Sequence, residues 1–403
     1  MADIRALYAD EDGNILDAPK GFQALARTGT DIIELSPDDL IPLPESADLM
    51  FLPDRLPLAK YGDEIMPIMG NAVAAILPAG YTRLYMPAFK KEDDAQMLPL
   101  YGYTAVVVYK DELYVAAMYT DENDKWDPAH YNTRNLHKLV KRVQKDLPDN
   151  RLVEHLGNCS LTWHCCTAQN LFYRRWEAGI PSSPVCNANC FGCISLQPAE
   201  CCPSPQSRIK FRPTPKEIAQ IGIYHLETAP DAIISFGQGC EGEPSLAVDN
   251  IVPAIEKIRK KTDKGQININ TNAGYTEGIK RIVDAGLDSM RVSIISAIPE
   301  NYKAYYRGSY ELDNVKESIR YAHEHGVHIS LNMLYFPGFN DSESEFKAWK
   351  EFLQENPVNM IQIRNLNIDP DAFAEIMPPF TKAIGTKEFI RQLHEEFPDI
   401  VIG

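Results

Sequence analysis

From Ala232 onward, short β-branched runs alternate with amphipathic helical stretches, and no other feature constrains the fold as strongly. The apolar runs cover 232–236, 266–271, 289–295, 327–334 and 360–366, and helical patterns between them cover 250–262, 276–285, 314–325 and 342–354. Near-continuous apolar strands separated by helices predict a parallel sheet covered by helices. Crossovers of one hand then curl such a sheet into a barrel or an open half-barrel. Helix starts are marked as well. Thr214-Pro215-Lys216-Glu217 supplies an N-cap, a proline at the first helical position and a glutamate three residues after the cap, and Ser342 with Glu345 repeats the box.

The amino-terminal 150 residues carry a different pattern. Segments 103–109 and 112–119, joined around Lys110-Asp111, read as an antiparallel hairpin, 82–86 adds a strand, and proline-rich 41–58 is extended. Residues 131–147 read as helix, with Leu136, Leu139, Val140 and Val143 on one stripe. The expected division is a small α+β domain over 1–150, a cysteine-rich segment over 151–210, and the rest of the barrel with a helical C-terminal segment over 211–403. A chain of 403 residues can build two cores without disulfides. The most apolar stretch, 65–80, is broken by Pro67, Asn71 and Pro78, and the start lacks a basic then apolar signal region, so a cytoplasmic protein with no membrane span is expected. The net charge of -16 argues against a general nucleic-acid surface. Lys257, Arg259, Lys260, Lys261 and Lys264 cluster on the exposed side of a helix and read as a solvated face.

All nine cysteines fall between Cys159 and Cys240. Disulfide frameworks spread thiols and metal sites concentrate them, which favours metal chemistry in a reducing compartment. Cys186, Cys190 and Cys193 stand at C-x3-C-x2-C between the first strand and the first helix, where the loops of a parallel barrel build active sites. Three thiolates fit three corners of an iron-sulfur cube and leave the fourth iron open to bind something small. Structural zinc instead takes four ligands, commonly in paired C-x2-C units.

This loop, followed by βα units and by Gly242-Glu243-Pro244 after the second strand, resembles the radical S-adenosylmethionine (radical SAM) superfamily over roughly 184–366. The resemblance implies an α/β fold, a partial (β/α)6 TIM-like barrel with an additional N-terminal α+β domain. It implies a 4Fe-4S cluster on Cys186, Cys190 and Cys193, with S-adenosylmethionine on the open iron, cleaved reductively to a 5'-deoxyadenosyl radical. That radical would take a hydrogen from a peptide, a protein or a small molecule, with reduced flavodoxin or ferredoxin as electron donor. Gly242, Glu243 and Pro244 are the expected contacts of the cofactor's ammonium, since glycine permits close backbone approach and an anion suits a cation. By similarity Asn272 and Ser293 face the cofactor and Arg307 pairs with its carboxylate, a surface ion pair being the alternative for Arg307. Two departures stand out: Gly192 precedes the third cysteine where the family usually has an aromatic residue, Phe191 lying one place earlier, and Glu241 replaces a glycine.

Six cysteines remain. Cys159 with one thiolate each from Cys165-Cys166 and Cys201-Cys202 makes three ligands of a second site for an iron-sulfur cluster or another metal, which His164 or the other members of the pairs can complete; idle buried thiols are the alternative. Cys240 is a candidate hydrogen-atom donor or substrate contact, with core packing as the alternative. Two other functions stay open: radical SAM modification of nucleic-acid bases, which the acidic balance opposes, and an iron-sulfur scaffold without radical activity.

Overall fold

Seven parallel strands, Glu177–Gly179, Ile233–Phe236, Gln266–Thr271, Ser289–Ile294, His328–Tyr335, Met360–Asn365 and Val401–Ile402, pair in chain order into one sheet. The computed structural model describes residues 3–98, 102–121, 124–196 and 208–403. Among them no pairing joins the first strand to the seventh, so the barrel stays open. Three helices precede the sheet: α1 (Leu136–Asp146), α2 (Arg151–Thr162) and α3 (Cys166–Tyr173). The crossovers carry α4 (Pro215–Thr228), α5 (Val248–Arg259), α6 (Thr276–Asp284), α7 (Pro299–Tyr306), α8 (Leu312–Glu324) and α9 (Glu343–Glu355), and α10 (Pro370–Ile376) and α11 (Thr386–Glu396) lead into the last strand. None of the described helices is long and apolar enough to cross a membrane.

The strands alternate rather than run continuously apolar. Ile234, Ile267, Ile269, Met290, Val292, Leu331, Met333 and Ile361 are buried in one core with Ile251 and Ile255 of α5, Ile282 of α6, Ile319 of α8 and Trp349 of α9. The intervening positions are polar, and the register sets Ser235 beside Asn268, Asn270 beside Arg291, Ser293 beside Asn332, and Asn332 beside Gln362. Because side chains alternate across a strand, this gives an apolar outer face under the helices and a hydrophilic lumen. The lumen is internally bonded: Asn268 donates to Ser235 Oγ at 3.1 Å, Ser289 donates to Asn268 Oδ1 at 2.9 Å, and Arg291 on the fourth strand reaches Glu177 on the first at 2.7 Å.

The box at Thr214 forms as expected, with Thr214 Oγ1 accepting from the Glu217 amide and the Glu217 carboxylate accepting from the Thr214 amide. Ser342 caps α9 through the Glu345 amide, but the Glu345 carboxylate turns inward to Ser296 Oγ and Asn301 Nδ2 instead of returning to the cap. The Ser342 amide is already taken by the Phe339 carbonyl at 3.1 Å, which leaves the carboxylate for the buried donors.

The amino-terminal part is richer in strand than its sequence suggests, its strands forming one antiparallel network of fourteen. The expected hairpin is Thr104–Tyr109 with Glu112–Tyr119, and Lys110 and Asp111 both take positive φ, 54° and 60°, as a tight two-residue turn requires. The network docks on the carboxyl end of the sixth barrel strand. Arg83, fully buried, donates to the Leu366 carbonyl at 2.7 Å, and Arg55 pairs with Asp369 at 2.6 Å, neither side chain being exposed. Helix α1 packs on α2 and α3, and its Leu136, Val140 and Val143 join a core that the barrel strands share with Leu52, Ala72 and Met86 of the network.

Candidate functional site

Cys186, Cys190 and Cys193 lie on the connection between the first barrel strand and α4. The end of α7 holds that loop from outside, since the amides of Asn189 and Phe191 donate to the carbonyls of Tyr306 and Tyr305, both at 3.0 Å. All three thiols line one cavity of about 220 Å³ at the carboxyl ends of the strands, with Gly242, Glu243, Asn272 and Ser293 in its wall. Burial pushes the Cys186 and Cys190 thiols up, and at Cys190 the neighbouring thiols add to it. Buried thiols crowded in this way favour their ionised forms when a cation sits among them.

The donor set therefore suits a metal cluster, and a second observation suits a ligand beside it. Tyr306 Oη is buried in the same wall with no hydrogen-bond partner among the described residues. Buried hydroxyls are ordinarily satisfied, so this one is left for something that enters.

The loop after the second strand is built around Glu241. One carboxylate oxygen accepts from the amides of Gly237 at 2.7 Å and Gln238 at 2.8 Å, and the other from the amides of Ser182 and Ser183 and from Ser182 Oγ. Burial pushes this carboxyl up to about 7, against donors that hold it down. Gly242 lies so close to the cysteine loop that a Cβ there would come 2.0 Å from the Val185 carbonyl oxygen. Its amide and that of Glu243 donate to Ser183 and Val185 at 2.7 and 2.8 Å, pinning this loop to the residue before Cys186.

Glu243, expected as an ammonium contact, accepts from the amides of Ser245 at 3.0 Å and Asn272 at 2.8 Å and from Thr271 Oγ1, so its carboxylate chiefly joins two strand ends. Asn272 Nδ2 donates to Asn187 Oδ1 at 2.7 Å and ties the third strand to the cysteine loop. Arg307 lies outside the cavity: its Nε donates to the Asn189 carbonyl at 2.9 Å and its guanidinium lies 5.6 Å from the centre of the Phe191 ring. That ring is thereby engaged away from the cavity. Among the described residues the cation that lines the cavity is Arg208, whose Nη2 lies 3.7 Å from Cys193 Sγ and 3.0 Å from Ser195 Oγ. No motif pointed to Arg208 or Tyr306, and Glu241 stood out only as a departure from a glycine, because the loops and strand ends that gather them at the cavity are distant in the chain.

The remaining cysteines are not gathered as expected. Cys201 and Cys202 lie outside the described residues. Cys166 lines a separate cavity with Trp126 and Trp176, and His164 turns to Asn132, 3.0 Å away, because a positive φ of 52° swings it off the helix ends. Cys159 meets His155 and Cys240 instead. Cys240 therefore faces away from the cavity of the motif cysteines and lines another with Cys159 and Cys165, contrary to its expected place beside the cofactor. The adjoining Cys240 thiol, with His155, holds Cys159 well below the usual thiol range, while the same contact and burial push Cys240 up.

Residues 180–349 match the radical SAM superfamily. Over 188 residues the chain is 32% identical to an uncharacterized protein of Methanocaldococcus jannaschii, covering 45% of this chain and 56% of that one. It is 29% identical over 167 residues to the GTP 3',8-cyclase of Limosilactobacillus fermentum, covering 39% of this chain and 45% of the cyclase. The chain thus spans about half the length of the curated relatives it matches. Among solved structures it is similar to SuiB of Streptococcus suis bound to its precursor peptide SuiA, at 11% identity and a TM-score of 0.41 over 74% of this chain and 69% of that one. It is also similar to the FeFe-hydrogenase maturase HydG of Carboxydothermus hydrogenoformans, at 14% identity and a TM-score of 0.37 over 67% and 68% of the two chains. With its cysteine loop at the mouth of a parallel half-barrel, the chain carries over residues 180–349 a radical SAM domain, which implies S-adenosylmethionine and an iron-sulfur cluster.

Proposed function

We propose that the chain is a radical SAM enzyme that removes a hydrogen atom from a small polar substrate held in the lumen of the barrel. The observation that carries this reading is the meeting of three motif thiols at one cavity with the backbone loop 237–243. When bound there, a 4Fe-4S cluster on Cys186, Cys190 and Cys193 supplies the electron that cleaves S-adenosylmethionine to a 5'-deoxyadenosyl radical, reduced flavodoxin or ferredoxin being the donor. Glu241 holds the loop so that its backbone carbonyls accept from the cofactor's ammonium. Arg208 rather than Arg307 pairs with the cofactor carboxylate, and its charge also steadies the thiolates. Asn272, Ser293 and Tyr306 Oη offer polar contacts to the remaining hydroxyls.

The lining of the barrel supports a reading of the substrate class. A separate cavity of about 340 Å³ is lined by Glu177, Arg291, Gln362 and Arg364 of the barrel strands and by Trp126 and Trp176. Guanidinium groups suit an anion and indole faces suit a planar ring. A small molecule carrying both, such as a nucleotide of the kind named for the GTP 3',8-cyclase relatives, fits that lining better than a protein segment or a nucleic-acid strand, which the acidic charge of the chain opposes.

Anaerobically reconstituted and reduced protein should release 5'-deoxyadenosine from S-adenosylmethionine. Replacing Cys186, Cys190 and Cys193 by alanine should abolish both that release and the cluster's broad visible absorbance. A cluster whose electron paramagnetic resonance spectrum ignores S-adenosylmethionine would leave only a scaffold.

A further inference from the structure

His155 and Cys159 lie four residues apart on α2, so both leave the helix on one face. They meet Cys240 on the loop after the second barrel strand, and the ligand atoms of the three lie within 4.8 Å of one another. Cys159 Sγ is 3.6 Å from His155 Nε2. With metal–sulfur bonds of about 2.3 Å and metal–nitrogen bonds of about 2.0 Å, neighbouring sulfur and nitrogen ligands of a tetrahedral zinc ion stand about 3.5 Å apart. The observed separation is thus that of one edge of such a tetrahedron. Cys159 and Cys240 are buried, at 2% and 4% exposure, and both are free thiols. Cys165 borders a cavity of about 210 Å³ together with Cys159 and Cys240, and its amide donates to the Cys159 carbonyl at 3.1 Å, which keeps a further cysteine beside the set. Two thiols and an imidazole without a carboxylate select a soft or borderline ion over magnesium or calcium.

We propose that His155, Cys159 and Cys240 bind one divalent cation of the zinc class, separately from the motif cysteines, and that the ion fastens α2 to the cofactor loop. Cys240 directly precedes Glu241, the residue that organises that loop, so a bond at Cys240 Sγ restrains the loop from behind. The proposal does not depend on radical chemistry.

The full chain with Cys186, Cys190 and Cys193 all changed to alanine, grown with zinc, should retain about one zinc per chain, the stoichiometry of a single site. Adding Cys159→Ser with Cys240→Ser should bring it to background. On the unsubstituted chain freed of metal, cobalt(II) should give the intense visible bands of a tetrahedral thiolate site, and zinc should protect Cys159 and Cys240 from alkylation in peptide mapping. Both effects should disappear in His155→Ala. Zinc content indifferent to the paired serines, iron with sulfide held by these residues, a Cys159–Cys240 disulfide in the native map, or equal alkylation with and without zinc would each overturn the proposal.

Discussion

Gly192 occupies the place where related cysteine loops usually carry an aromatic side chain, and Tyr305 supplies the reason. A Cβ on Gly192 would come 2.6 Å from Tyr305 Oη, and Tyr305 is itself buried at the end of α7. Gly192→Ala should therefore overpack the loop at a cost of about 1–3 kcal/mol, read as a lower denaturation midpoint and poorer retention of the cluster. Removing the hydroxyl with Tyr305→Phe should recover much of that loss in the double variant, and strictly additive costs would show that the contact is not the cause. The cysteine spacing was legible in the sequence because one short loop carries all three thiols, and the fold brings them to one cavity. Glu241 was legible only as a missing glycine: its amide and hydroxyl donors include Ser182 and Ser183, which reach it through the pairing of the first two barrel strands. His155 gave no local signal either, since nothing in its own helix marks it as a neighbour of Cys240.

At the scale of elements, the barrel strands stood out because β-branched residues recur between capped helices, and the third strand begins and ends where its apolar run does, at Gln266–Thr271. The amino-terminal strands hid for the opposite reason. Many are as short as Ile15–Asp17 or Leu40–Pro42, and such runs carry too few residues to display alternation. Helix α9 shows how a correct start can conceal a different use of its third residue. Burial raises the Glu345 carboxyl from its ordinary value of 4.5 to about 7, with Ser296 and Asn301 pulling the other way. Between those values the folded chain holds a proton that the unfolded chain has lost, so the stability it lends is complete below about pH 4.5 and fades as pH rises to about 7. Glu345→Gln lacks this dependence. Its unfolding free energy relative to the parent should rise by about 3 kcal/mol between pH 4.5 and 8, a difference in which the other titrating groups cancel. A flat difference in urea titrations across that range would mean that Glu345 is ionised in the folded chain.

Across the whole molecule, the antiparallel network and the barrel are joined by arginines that reach out of the first into the second. Arg83 meets the Leu366 carbonyl, Arg27 meets Asp371, and Arg55 meets Asp369, the one pair with both side chains fully buried. Asp369 has two further tasks: it accepts the Leu98 amide at 3.1 Å from the network side, and it caps α10 through the amides of Asp371 and Ala372. Asp369→Asn keeps an oxygen for the cap but strands the Arg55 guanidinium without its counter-charge, a loss of about 3–5 kcal/mol when a buried pair is broken from one side. Arg55→Met added to it should recover most of that, because an apolar side chain of similar length needs no partner. The loss should also be local. Hydrogen exchange followed by mass spectrometry should show peptides from 3–119 opening well before those of the parallel strands in Asp369→Asn, whereas in the parent the two sets open together. If protection falls equally in both parts, or if the single substitution costs less than about 1 kcal/mol, the ion pair is not what couples them.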